Sequence, residues 1–237
     1  MAAAAATGDA GAAEGPQSTG WGSEGAAAAE AAGAGRGRLY VATAPAKWDG
    51  AGGGGGKRNW FGEYQALAGL LNGIFGPGEP TAATCEKLQG RPLQVVRFRS
   101  DAPGRHLVVE APGQGLCLEA AAFAILRDAL GWKAAPAVQF HGLRWRHHDF
   151  LVGLKYTQVA NKPSLGLVLE LSYAAPATPE TAGPLVDGFL EQVQAWMEQG
   201  GLRLPFAPLG PANSLLSPMR HAELLIAVTK ALKRGGA

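Results

Sequence analysis

The chain has 237 residues, a formal net charge of +2 and two cysteines, Cys85 and Cys117. With no CxxC and no Cys/His spacing, these exclude a disulfide framework and a structural zinc site and suit a reducing compartment; no apolar run is long enough to span a bilayer. The length suits one good-sized domain or two small ones, and the 35 glycines, about twice ordinary usage, crowd the N-terminal region and distort the whole-chain averages.

Residues 1–38 are Ala/Gly-rich and nearly free of large apolar side chains, Trp21 excepted. Such a segment cannot bury enough surface to offset its chain entropy, so a disordered tail is expected, followed by a single domain over 39–237. The first residues lack the basic region of a signal peptide and the Arg enrichment of a transit peptide, which points to the cytosol or nucleus. Residues 1–35 hold four acids, Asp9, Glu14, Glu24 and Glu30, and no Lys or Arg. The rest carries 21 basic residues against 15 acidic, 19 less those four, a balance of +6. That mild surplus suits acidic protein partners and gives little support to nucleic-acid binding.

Residues 39–44 (LYVATA) read as a strand ended by Pro45, and the glycine run within 49–57 as a flexible loop. No GK[ST] follows that run, so it does not match a phosphate-binding loop. Asn59 is a candidate N-cap for a helix marked by Phe61, Tyr64, Leu67, Ala68, Leu71, Ile74 and Phe75 and stopped by Gly76-Pro77-Gly78. Cys85 falls in what reads as a polar loop. Residues 93–99 and 106–111 predict two strands joined by Asp101-Ala-Pro-Gly104, where Pro presets φ and Gly accepts a positive one. A turn at 113–115, a short strand at 116–118 and a helix over 120–132 follow, the helix with Phe123, Leu126 and Leu130 on one face. Cys117, among apolar neighbours, reads as a buried thiol.

The segment 138–173 is the most regular of all. A strand over 138–146 meets a turn at His147-His148-Asp149, and 150–159 places Phe150, Val152, Leu154 and Tyr156 on one face. After a turn at Asn161-Lys-Pro-Ser164, Leu165, Leu167, Leu169, Leu171 and Tyr173 alternate as in a half-buried antiparallel strand. Thr178 and Pro179 open a helix that ends at Gly200-Gly201, 202–217 reads as a Pro-rich connector, and 219–232 forms the last helix. The order β-α-β-β-(β)-α-β-β-β-α-α is that of an α+β protein: a curved antiparallel sheet, or a barrel-like sheet, flanked by helices over one face.

Candidate chemistry is sparse. His147-His148-Asp149 has the residue types of a metal or hydrolytic site, but adjacent residues at a strand end alternate in direction, and His106, His141 and His221 add no ligand spacing. No GxSxG and no Cys-centred signature is present. No catalytic, cofactor-binding or metal residue is therefore assigned, and a small hydrolase using His147 or His148 is the weakest reading. Arg97, Arg99, Arg105, Arg144 and Arg146 with Trp145 suggest a basic aromatic face, yet no RNP motif or second stacking aromatic on the same face accompanies them. The last helix suits either the chain's own core or a groove on a partner.

Three features together carry a resemblance: Trp145 stepping to Asp149-Phe150, the Gly-containing strand Leu165-Gly166-Leu167-Val168-Leu169-Glu170-Leu171-Ser172-Tyr173, and a helix bearing Phe189 and Trp196, followed by Leu209-Gly210 and a final helix. Over 137–234 the chain resembles the family of Mediator complex subunit 20, in the head module of the transcriptional coactivator. The resemblance implies a barrel-like antiparallel sheet with helices and a non-enzymatic nuclear role in relaying regulatory signals to RNA polymerase II. It also implies pairing with Mediator subunit 18, tethered by a helix of subunit 8. The expected partner interface comprises Arg144, Trp145 and Arg146, with Leu225, Val228 and Leu232 of the last helix. A stand-alone nucleic-acid-binding α+β domain is the alternative.

Overall fold

The computed structural model describes residues 36–43, 59–99, 104–159, 166–215 and 217–235. The expected tail through residue 35, the glycine loop at 49–57 and the turn at 161–164 lie outside the described residues. Nine strands form one sheet: β1 (Arg36–Thr43), β2 (Glu79–Lys87), β3 (Gln94–Phe98), β4 (Arg105–Ala111), β5 (Gln114–Glu119), β6 (Val138–His147), β7 (Phe150–Val159), β8 (Gly166–Tyr173) and β9 (Ala207–Leu215). Their spatial order is β5-β4-β3-β2-β6-β7-β8-β1-β9, and every neighbouring pair is antiparallel. Four helices flank it: α1 (Trp60–Phe75), α2 (Ala120–Ala129), α3 (Pro179–Gln199) and α4 (Pro218–Gly235). The sheet is open, with β5 and β9 as its edges.

The helices cover both faces rather than one. On the first face Leu39, Phe98, Phe140 and Val168 pack against Ala222, Leu225, Val228 and Leu232 of α4. On the second, Tyr40, Val152, Leu154 and Leu169 pack against Leu67 and Leu71 of α1 and Val186, Val193 and Met197 of α3. A smaller cluster places Phe123 of α2 over Val95 and Val108. β8 therefore lies between two cores, with Leu167 through Leu169 buried throughout, and is not the half-buried strand its alternation suggests. The alternation marks instead which face each residue serves. Burying each large aliphatic side chain contributes roughly 1.5–3 kcal/mol.

Local chemistry explains the element ends. Asn59 Oδ1 accepts from the Gly62 amide at 3.0 Å and caps α1. Gly76, at φ +85°, carries the chain out of the helix through a conformation other residues resist. β6 and β7 meet at a two-residue turn, His148-Asp149, with His147 paired to Phe150. Gly142 is required on β6 because a Cβ there would run into the Leu154 carbonyl oxygen.

Four expectations are corrected. β1 begins at Arg36, inside the segment read as tail. Residues 79–87 form β2, a central strand, so Cys85 is buried and not in a loop; its run of Thr, Ala and Cys lacks the bulky side chains that announce a strand. Cys117 is exposed, because β5 is an edge strand. The Pro-rich connector contains β9, which pairs with β1, and edge position is where a strand tolerates prolines.

Candidate functional site

The β6–β7 turn is packed rather than poised. The His147 ring lies 4.9 Å from Phe75 and 6.3 Å from Phe189 between ring centres, in a cluster that also joins Phe150 and Trp196. Phe150 stacks on Phe189 at 4.2 Å and 8°. His148 takes φ +52°, and the Asp149 carbonyl accepts from the Ala174 amide at 2.6 Å. Among the described residues no group of three or more His, Cys, Asp or Glu could hold a metal ion.

The expected interface residues separate. Trp145 is 3% exposed and packs in the α1/α3 core, where its Nε1 donates to Asn72 Oδ1 at 3.0 Å. The same oxygen accepts from the Gly78 amide at 3.0 Å, so the indole fastens β6 to the exit of α1. Trp145 is thus no exposed anchor between arginines: strand parity turns it toward the helices. Arg144 faces Glu79 across β2 and β6 at 3.7 Å, and Arg146 is exposed. Leu225, Val228 and Leu232 are buried against the chain's own sheet.

Beneath α4 lies an ionic cluster that sequence patterning did not reveal. Lys155 of β7, with a side chain 3% exposed, donates from Nζ to Glu170 Oε1 of β8 at 2.6 Å. His221 Nε2 of α4 lies 2.8 Å from the same oxygen, and its ring packs 4.8 Å from Phe98. Burial pushes the Glu170 carboxyl up, but Lys155 and then His221 outweigh it and hold the group well below the usual carboxylate range. Gly153 leaves the room, since a Cβ there would meet Glu170 Oε2 at 2.8 Å. The cluster anchors α4 to the sheet.

Two exposed features remain. At one edge, Leu116 of β5 is 63% exposed, and α2 leaves Ile125 69% exposed with Leu126 and Leu130 also outward. Of the expected α2 face, only Phe123 is buried. The signal was present in the sequence: apolar residues run around α2 over an arc wider than one packed face needs. β5 contains no proline, whereas β9 at the opposite edge holds Pro208 and Pro211, each lacking a backbone donor.

The second feature is a cleft of about 320 Å³ on the face between α1 and α2, lined by Thr84, Arg97, Arg99, Arg105, His106 and Gln139 among others. Arg97 Nε donates to Thr84 Oγ1 at 3.2 Å, and its guanidinium pairs with Glu86. Burial first, and neighbouring arginines second, act on three groups around the cleft. Burial, then Arg99 and Arg127, lower the Arg97 pKa; burial, then Arg97, lower that of His106; burial, then Arg99, lower that of His141. The two histidines are held toward their neutral form.

No family model matches the chain, and no curated protein matches it. Solved structures do. A chain in the structure of the Schizosaccharomyces pombe Mediator head module is similar, with 10% identity, a TM-score of 0.42, and coverage of 73% of this chain and 100% of that one. A conserved hypothetical protein from Pyrococcus furiosus is similar at 11% identity and a TM-score of 0.35, covering 70% of this chain and 91% of that one. A protein from Pyrococcus horikoshii is similar at 10% identity and a TM-score of 0.35, covering 81% of this chain and 99% of that one.

Proposed function

We propose that the chain is a non-catalytic subunit of the Mediator transcription coactivator complex, acting in the nucleus. In this reading it pairs with another head subunit to relay regulatory signals to RNA polymerase II. Subunit 18 is the proposed pairing partner and subunit 8 the tether, both from the sequence resemblance over 137–234. The observation that carries an interaction role is the β5 edge. It is an outer strand paired on one side only, Leu116 stands 63% exposed on it, and α2 beside it turns Ile125 outward. An edge without proline and with outward aliphatic side chains is the arrangement that strand addition or a hydrophobic partner surface uses.

The test is assembly of the full chain with head subunits 18 and 8, followed by size exclusion. Co-elution is expected, and Leu116→Asp with Ile125→Asp weakens it at least tenfold, because charge placed in a buried interface core is costly. Leu185→Asp, on α3 and 41% exposed, leaves assembly unchanged. A chain that stays monomeric beside both subunits overturns the membership. Assembly that survives the edge variant overturns the assigned surface.

A further inference from the structure

We infer that the pocket between the end of β2 and the last turns of α4 binds a small organic phosphate monoester, with Lys87 and Lys230 taking the phosphate and Pro92 and Pro136 flanking the apolar body. The pocket holds about 350 Å³, within the range of small-ligand sites. Strand alternation sets its floor. Cys85 belongs to the core beneath α4, and Lys87, two residues on, shares that side of the sheet. Gln94, the cross-strand partner of Lys87, stands two residues before Val96 of the same core and lies on the same side. Thr229 and Lys230 of α4 face them across the pocket. Backbone bonds fix the wall that carries Pro136: the Lys87 carbonyl accepts from the Ala135 amide, and the Lys133 carbonyl from the Gln89 amide, each at 2.8 Å.

Charge names the ligand. Lys87 and Lys230 are the only charged residues lining the pocket; both are exposed, and neither makes an ion pair with another described residue. The three segments that meet here, 87–94, 130–137 and 225–235, contain Lys87, Arg91, Lys133, Lys230, Lys233 and Arg234 and no Asp or Glu. Two ammonium groups without a counter-charge match a phosphate monoester, which carries about −1.5 to −2 at neutral pH; a single carboxylate leaves one of them unmatched. The proline rings and the Cys85 side chain offer apolar contact to the rest of the ligand. The Thr229 hydroxyl donates to the Leu225 carbonyl at 2.9 Å, which leaves the Gln94 amide as the neutral donor. Single-stranded nucleic acid needs aromatic faces for its bases, and the lining has none.

The experiment is calorimetric titration of the full chain with phenyl phosphate at low and physiological salt. Binding is expected, with phenol giving none and with benzoate and inorganic phosphate each weaker by about tenfold or more. Lys87→Glu and Lys230→Glu should each lower the affinity for phenyl phosphate by about tenfold or more. Arg146→Glu, an equal charge change roughly 30 Å along β6 from Pro136, should leave it within about twofold. Lys87→Met and Lys230→Met give the same ordering with less perturbation, and circular dichroism verifies that each variant is folded. Failure of phenyl phosphate to bind, equal affinity for inorganic phosphate (an adventitious ion only), equal affinity for benzoate or an oligothymidine, or equal loss from Arg146→Glu would each overturn the inference. A tyrosine-phosphorylated peptide that binds about tenfold more tightly than phenyl phosphate would overturn the small-molecule reading in favour of a protein ligand. No Mediator subunit enters the assay, so its outcome is independent of the proposed assembly.

Discussion

Glu170 shows how much one residue can settle. Its carboxylate is held ionised inside the molecule by Lys155 at 2.6 Å and His221 at 2.8 Å, one cation from the neighbouring strand and one group from the helix above. A depressed carboxylate pKa contributes stability that is present above the ordinary value of 4.5 and is lost as pH falls through the folded value. Urea melts at stepped pH should therefore show stability declining below about pH 4.5, and Glu170→Gln should remove that part of the decline. Lys155→Met should cost about 3–5 kcal/mol, because it strands a buried charge, while Lys155→Met with Glu170→Met should recover most of the loss. A cost below about 1 kcal/mol for the single variant would show that water reaches the site. None of this was legible in the sequence: Lys155 and Glu170 read as outward members of alternating strands, since the pattern of β7 and β8 cannot announce a helix that arrives from 218 onward.

At the scale of elements, α4 decides between the two roles its sequence allowed. Leu225, Val228 and Leu232 are all buried on the sheet, and the helix supplies much of the first core. Leu225→Ala should cost about 2–5 kcal/mol in chemical denaturation, as for other fully buried leucines, whereas Lys230→Ala on the exposed side should stay within about 0.5 kcal/mol. A small loss for Leu225→Ala would mean that α4 sits loosely on its face. Here the periodicity of the helix was readable, as were α1 with its Asn59 cap, the β6–β7 hairpin and β8. β2 and β9 were not, because small side chains in one and prolines in the other obscure the strand signal.

For the whole molecule, the consequence of the topology is that both cores share strands. β1 gives Leu39 and Val41 to one face and Tyr40 and Ala42 to the other, and β8 divides Val168 from Leu167 and Leu169 in the same way. Loss of either core therefore exposes the other. Val168→Ala and Leu169→Ala should each lower the midpoint of one common transition, with circular dichroism and tryptophan fluorescence melts coinciding; two separated transitions would show that the faces unfold independently. The same openness that leaves β5 paired on one side only gives the molecule its proposed route into an assembly.

By itself the sequence determined the fold class, most of the strands and the placing of the helices, because these follow from local periodicity, caps and turns. Only the tertiary structure decided which faces those periodicities meet. It turned Trp145 inward, exposed Cys117 and Leu116, closed α4 onto its own sheet and gathered Thr84, Arg97 and His106 around one cleft. Burial and charge proximity depend on strand order in space, and a sheet that runs β5-β4-β3-β2-β6-β7-β8-β1-β9 brings together residues that no window along the chain can see at once.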